Sequence, residues 1–272
     1  MDGENFVLRE HQGVPFYACR AFEPLPRLSH GFSTRRGGVP GGGESSLNLG
    51  GAAWDSPDRV AENRRRLLSA LRLADATLVT LHQVHSDRVH IIEDIVTQWN
   101  RTEGDALVTR MENVALAART ADCIPVLIAD PVKRAVAAVH SGWRGTLSGV
   151  LPRTVGEMRR AFGSDPSRLL AAIGPGIRKC CYEVGGEVAV RFSREYPGCC
   201  TGAAAGRNGG KFMLDLVRVL DAQMHLAGIP PENRFDLDLC TRCHTEELFS
   251  HRAEGAAAGR MMAVIGLLPR RD

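Results

Sequence analysis

Apolar residues along the chain follow two rhythms. Dense runs of four to eight, rich in β-branched residues, predict strands near residues 16–18, at 30–33, 77–81, 89–92, 105–109, 114–118, 169–173, 235–239 and 261–268. Two more such runs flank Asp130-Pro131-Val132-Lys133, a turn signal, and so predict a hairpin. Helical spacing marks residues 56–73, where Ser56 caps, Pro57 suits the first turn and Val60, Leu67, Leu68 and Leu71 recur on one face. Further helices are predicted over 147–162, 185–196 and 214–226, the last stopped by Gly228 and the prolines after it. Glycine-rich stretches at 37–51, 197–210 and 252–259 read as loops. Strands and helices interleave without a strict βαβ rhythm and several strands look hairpin-paired. The expectation is a single α+β domain over 1–272, with a mixed β-sheet or sandwich core and peripheral helices.

Length and composition agree with that picture. The chain has 272 residues, 44% of them hydrophobic and 24% charged, and a net charge of +3, as expected of one folded globular unit without a nucleic-acid-binding face. The start, Met1-Asp2-Gly3-Glu4-Asn5, lacks a basic-then-apolar signal, and no apolar run approaches the ~18 residues of a membrane span. A cytoplasmic protein that does not touch membranes is expected, as monomer or homodimer. In a reducing compartment its eight cysteines point to metal or nucleophile roles rather than disulfides.

The predicted hairpin carries the first candidate chemistry. Cys123 precedes its first strand and His140 ends its second, so pairing brings them together at one edge of a sheet. His85, at the end of another strand, completes a His₂Cys set that suits Zn²⁺ with one open position. The same residues also read as a Cys123–His140 nucleophile–base dyad with Asp122 nearby. Copper fits a His₂Cys set as well, less well than zinc. Arg35 before Gly37-Gly38, Arg119, Arg144, Arg252 and Arg260 are candidate anion binders, and Trp143 a stacking surface. Cys240-Thr241-Arg242-Cys243-His244 has a metal-knuckle spacing. Cys180-Cys181 and Cys199-Cys200 do not supply a matching second pair, so these cysteines read as ordinary residues near strand ends.

Several blocks resemble the YfiH family, also called the laccase-domain, polyphenol oxidase or peptidoglycan editing factor family. They include Phe32-Ser33-Thr34-Arg35-Arg36-Gly37-Gly38, Ser46-Leu47-Asn48-Leu49, His82-Gln83-Val84-His85, Asp122-Cys123 and His140-Ser141-Gly142-Trp143-Arg144-Gly145. Cys181-Tyr182-Glu183-Val184, Phe249-Ser250-His251-Arg252 and Gly259-Arg260-Met261 continue the series in the same order. The resemblance implies an α+β fold related to cysteine-hydrolase-like toxins, and zinc on His85, Cys123 and His140. It implies phosphorolysis of adenosine, inosine and methylthioadenosine, so that a small nucleoside and phosphate are the partners, with adenosine deamination besides. Cys123, His140, His85, Arg144 and Asp122 then carry the chemistry, and Arg35, Asn48, Gln83, Arg119, Trp143, Arg252 and Arg260 hold substrate. Some relatives resemble amidases that edit muramoyl amino-acid precursors. Two departures concern substrate detail: His251 replaces a tyrosine, and Ala52-Ala53-Trp54-Asp55 replaces a Val-Gly-Asp-Asp block. The laccase label fits poorly. Nine histidines without one His-x-His pair do not supply a trinuclear copper centre, and a single copper does not carry out multi-electron oxygen reduction.

Overall fold

The computed structural model describes residues 5–39, 46–51, 54–96, 98–202 and 210–270. The extreme N-terminus, residues 40–45 of the first glycine-rich stretch, the Ala52-Ala53 departure and residues 203–209 of the predicted 197–210 loop lie outside them. In chain order the elements are β1 (Phe6–His11), β2 (Val14–Cys19), β3 (Leu28–Ser33), α1 (Pro57–Ala70), β4 (Thr77–Val79), β5 (Val89–Ile91), β6 (Ala106–Thr109) and β7 (Val114–Thr120). Then follow β8 (Ile124–Asp130), β9 (Ala135–Ser141), α2 (Trp143–Leu147), α3 (Val150–Phe162), β10 (Leu170–Ile173), β11 (Glu183–Val184) and α4 (Gly186–Glu195). The last are β12 (Cys200–Gly202), β13 (Phe212–Leu214), α5 (Leu216–Leu226), β14 (Arg234–Asp236), α6 (His251–Glu254) and β15 (Met261–Leu267).

Two six-stranded mixed sheets form the centre, in the orders β1-β2-β3-β15-β7-β4 and β14-β10-β8-β9-β6-β5. Their facing sides share one apolar cluster, to which Phe32, Leu116, Ala118 and Ile265 come from the first sheet and Leu107, Leu127, Val136 and Ala138 from the second. The outer face of the first sheet packs on α1 through Leu67, Leu68 and Leu71. The outer face of the second packs on α3 and α5 through Val155, Met158, Val219 and Leu220. The result is an α+β sandwich of four layers. It explains why the central strands read as unbroken apolar runs: every residue of β8 and β9 is buried, because both faces of these strands are covered. A small antiparallel sheet, β11-β13-β12, lies apart from the two large ones.

Several boundaries differ from expectation for local reasons. The helix predicted over 147–162 is α3, which starts at Val150 because Gly149, at φ 81°, separates it from the short unpredicted α2. Pro152 then sits in the first turn of α3, where its missing N–H costs nothing. The predicted loop at 197–210 contributes β12, paired with β13. Residues 252–257 of the predicted loop at 252–259 lie in α6 and a following 3₁₀ turn, with Ser250 as the N-cap accepting from Ala253 N–H. The hairpin β8–β9 pairs Ile124 with Ser141 and Pro125 with His140. It lies in the middle of its sheet, so Cys123 and His140 meet at the end of central strands and not at a sheet edge.

Two passages between the sheets matter most. β4 belongs to the first sheet and β5 to the second; β7 and β8 divide in the same way. Residues 80–88 and 121–123 therefore cross from layer to layer at one end of the sandwich. They carry His82, Gln83, His85, Asp122 and Cys123 with them.

Candidate metal centre and its cleft

His85, Cys123 and His140 converge. One donor atom from each lies within 4.8 Å of the other two. Cys123 Sγ is 3.7 Å from His85 Nε2, and the two imidazole rings are 5.0 Å apart, inclined at 73°. His140 is buried, and its Nδ1 donates to Asp105 Oδ1 at 2.8 Å, which leaves Nε2 for the site. A histidine fixed through its far nitrogen by a carboxylate is the arrangement found behind metal-binding imidazoles. Two imidazoles and a thiol so placed fit a metal ion with a free position for water or substrate.

Asp105 organises the centre. Its Oδ1 also accepts from His85 N–H at 3.0 Å, and its Oδ2 accepts from Val84 N–H, Ser86 N–H and Ser86 Oγ–H. Burial alone would raise the pKa of this carboxyl, but the hydrogen bonds from His140 and Ser86 outweigh it and hold it at about 2. Asp105 stood in plain view, as an acid opening an apolar strand, yet the sequence reading left it out of the site.

The thiol and imidazole polarise each other. Burial works against both charges, yet the His140 imidazolium brings Cys123 down to about 6, and the Cys123 thiolate with Asp105 brings His140 up to about 9. The metal-free pair is therefore a thiolate beside an imidazolium. Two backbone features support this arrangement. His85 has φ 60° and Asp122 has φ 97°, left-handed conformations held by their surroundings. Gly142 leaves no room for a side chain: a Cβ there would lie 2.7 Å from His85 Cδ2 and 3.0 Å from Cys123 Sγ.

The centre opens into a cleft of about 660 Å³ whose walls include Gln83, Arg119, Trp143, Tyr182, Arg252 and Arg260. Gln83 is clamped to the β7 backbone, donating to Arg119 C=O and accepting from Arg119 N–H, both at 2.8 Å. Arg119 Nη2 donates to Leu81 C=O, while its buried Nε has no partner among the described residues. Among the described residues the Arg260 guanidinium donates to the carbonyls of Ala258 and Gly259 alone. Burial and the charge of Arg260 both lower the pKa of Arg119. Among the described residues no carboxylate pairs with either arginine, so this wall favours an anion.

Four residues assigned to the site do other work. Arg35 lies outside the cleft, bound to Thr245 C=O at 2.5 Å and Glu254 at 2.9 Å and stacked over Phe249. Arg144 is exposed and lies 4.3 Å over the Trp143 ring, so it covers that ring from outside the cleft. Asn48 is wholly buried; its Oδ1 accepts from the backbone N–H of Arg260 and Gly50, so it positions Arg260. Asp122 lines the cleft, and its carboxylate accepts from Thr241, Ser250 and the backbone N–H of Arg252, which braces the segment beside Cys123. Tyr182, whose Cys181-Tyr182-Glu183-Val184 block is visible in the sequence, is a wall residue that the sequence did not assign to the site. Burial, then the negative charge of Cys123, push its phenol up, so it stays protonated.

The family model described as multi-copper polyphenol oxidoreductase laccase matches residues 29–268. The chain belongs to this family, to which YfiH also belongs. Among family members, a purine nucleoside phosphorylase of Deinococcus radiodurans is 41% identical over 250 residues, covering 92% of each chain. An adenosine deaminase from an unknown prokaryotic organism is 36% identical over 237 residues, covering 84% of this chain and 90% of that one. Of solved YfiH-family structures, YlmD from Geobacillus stearothermophilus superposes with a TM-score of 0.84 at 30% identity, covering 97% of this chain and 99% of that one. The Bacillus licheniformis YfiH protein gives 0.81 at 31% identity, covering 96% and 98%. The family's laccase description has no counterpart in a trinuclear centre here: among the described residues, His85, Cys123 and His140 are the one histidine-containing cluster with metal-binding geometry.

Proposed function

We propose that the chain is a purine nucleoside phosphorylase that also deaminates adenosine, with zinc held by His85, Cys123 and His140. The observation that carries the reading is the pairing of that centre with an unneutralised Arg119–Arg260 wall in one cleft. A phosphorylase must hold a phosphate dianion and a nucleoside side by side, and this cleft has a cationic subsite suited to an anion next to flat aromatic walls. The relatives named for these two activities cover nearly the whole chain, which supports the same assignment.

In phosphorolysis a phosphate oxygen bonds to the ribose anomeric carbon as the bond to the purine nitrogen breaks. The electron pair leaves with the base, which takes up a proton. Arg119 and Arg260 hold the phosphate and offset its charge. Trp143 and Tyr182 provide apolar surface for the purine, and the protonated Tyr182 hydroxyl is a hydrogen-bond donor. Asp105 keeps the His140 tautomer and the His85 backbone fixed throughout. Zinc, when bound, supplies Lewis acidity at the floor of the cleft. The eight unpaired cysteines suit a reducing, cytoplasmic setting.

The test is incubation with adenosine, inosine or methylthioadenosine, with and without phosphate. Phosphate-dependent release of free base with the sugar 1-phosphate, and inosine from adenosine, is the expected result. Absence of turnover on all three, or turnover untouched by Cys123→Ala, overturns the assignment.

A further inference from the structure

Four thiols gather at a second place. Cys180 and Cys181 lie in the turn after β10, and Cys240 and Cys243 in the loop after β14; their Sγ atoms all lie within 4.8 Å of one another. Cys243 Sγ is 3.4 Å from Cys181 Sγ and 3.7 Å from Cys180 Sγ. A tetrahedron built on Zn–S bonds of 2.3 Å has sulfur–sulfur edges of about 3.8 Å. A disulfide needs about 2.05 Å. The thiols are thus spaced as ligands around one point, and no pair is singled out for a bond. By contrast Cys199 and Cys200, 3.7 Å apart, have no third thiol beside them.

The backbone supports one of these thiols directly: Arg178 N–H donates to Cys240 Sγ at 3.5 Å. Arg242 Nη1 lies 3.7 Å from Cys181 Sγ and offsets negative charge from outside. The two loops are registered before any ion arrives: Gly176 N–H donates to Leu239 C=O and Thr241 N–H to Gly176 C=O. We propose that Cys180, Cys181, Cys240 and Cys243 form a closed tetrathiolate site for a divalent soft metal, zinc above all, that clips these two loops together.

The site has a structural consequence for the cleft. Ile177, in the first loop, donates its N–H to Asp122 C=O. Thr241, in the second, donates to the Asp122 carboxylate. Both clipped loops therefore grip the strained residue next to Cys123, while four protein ligands leave the clip no open position for substrate. The inference stands apart from the nucleoside reading.

The experiment is metal analysis of protein freed of any tag, as wild type and as Cys123→Ala, which disables the first centre. About two zinc ions per wild-type chain, falling to about one in Cys123→Ala and to about one in the Cys180→Ser/Cys243→Ser double variant, are expected. Because that double variant can misfold, Cys123→Ala is also loaded with Co²⁺. Strong thiolate-to-cobalt charge transfer with the d–d bands of a four-sulfur tetrahedron supports the site. No bound metal in Cys123→Ala, a nitrogen-rich cobalt spectrum, or a Cys181–Cys243 disulfide in protein purified under reducing conditions overturns it.

Discussion

Asp105 accepts five hydrogen bonds, from His140, His85, Val84 and, twice, Ser86, and so links both histidines of the centre to one carboxylate. In Asp105→Asn one oxygen becomes an NH₂ that faces donors. Zinc affinity is expected to fall about 10–100-fold, and stability by about 1–3 kcal/mol. Competition against a chelator and urea unfolding measure the two; unchanged zinc affinity would remove Asp105 from its role. Cys123 gives a pH-dependent prediction. In metal-stripped protein its thiolate forms with a midpoint of about 6, against an ordinary 9, because the His140 imidazolium outweighs burial. Alkylation by iodoacetamide should therefore rise through pH 6 and level off by neutrality. Its midpoint should move toward 9 in His140→Ala, and zinc should suppress the reaction. A wild-type midpoint near 9 contradicts the ion pair. At this scale the sequence was a good guide to which side chains converge: the meeting of His85, Cys123 and His140 was legible from types and positions. It was a poor guide to their supports, because a brace such as Asp122 and a base such as a catalytic aspartate look alike until the partners are seen.

At the scale of elements, the hairpin β8–β9 was readable because an apolar run, a turn signal and a second apolar run leave little else to build. What the pattern could not give was its place in the middle of a sheet. Pairing partners are set by residues far away in the chain, such as Ala171 against Ile128 and Val108 against Ala137. Short elements were missed for a related reason. Three-residue strands such as β12 are held by their partner β13, not by their own composition. The four cysteines show the same limit: a Cys-x-x-Cys pair was visible, but its companion Cys180-Cys181 has no standard spacing and is delivered by the parallel bridge between Gly176 and Cys240. The link from β9 to α2 carries the prediction that belongs here. Gly142 caps α2 at the point where a Cβ would press on His85 and Cys123. Gly142→Ala should keep the fold, at a cost of about 1–3 kcal/mol, and lose most metal binding. Full metal content in a folded Gly142→Ala protein would show that the donors have more room than the geometry gives them.

The whole molecule divides the labour of the cleft between its two layers. Arg119 lies on β7 and Arg260 immediately before β15, both strands of the first sheet, and they form the wall proposed to hold phosphate. Cys123, just before β8, and His140, at the end of β9 in the second sheet, form the proposed metal side, joined by His85 from the passage between the layers. The α+β class with a sheet or sandwich core was predicted from the rhythm of apolar runs, but the assignment of each strand to its sheet was not, since nothing local tells a strand which layer it joins. This division separates the two proposed reactions. Phosphorolysis needs both layers, because phosphate must be held while the sugar–base bond breaks. Deamination uses water and needs only the metal side. Arg119→Ala should thus lower phosphorolysis about 10–100-fold, the loss of a charge-assisted contact worth about 1.5–3 kcal/mol, with most of the change in KM for phosphate. Adenosine deamination by the same variant should change less than about threefold, within the scatter of a side-chain truncation remote from the reacting atoms. Arg260→Ala should behave in the same way, and Arg144→Ala, whose guanidinium lies outside the cleft on Trp143, should spare the KM for phosphate. Equal losses of both reactions in Arg119→Ala would mean that the arginine wall supports the fold of the site, and that phosphate is held elsewhere.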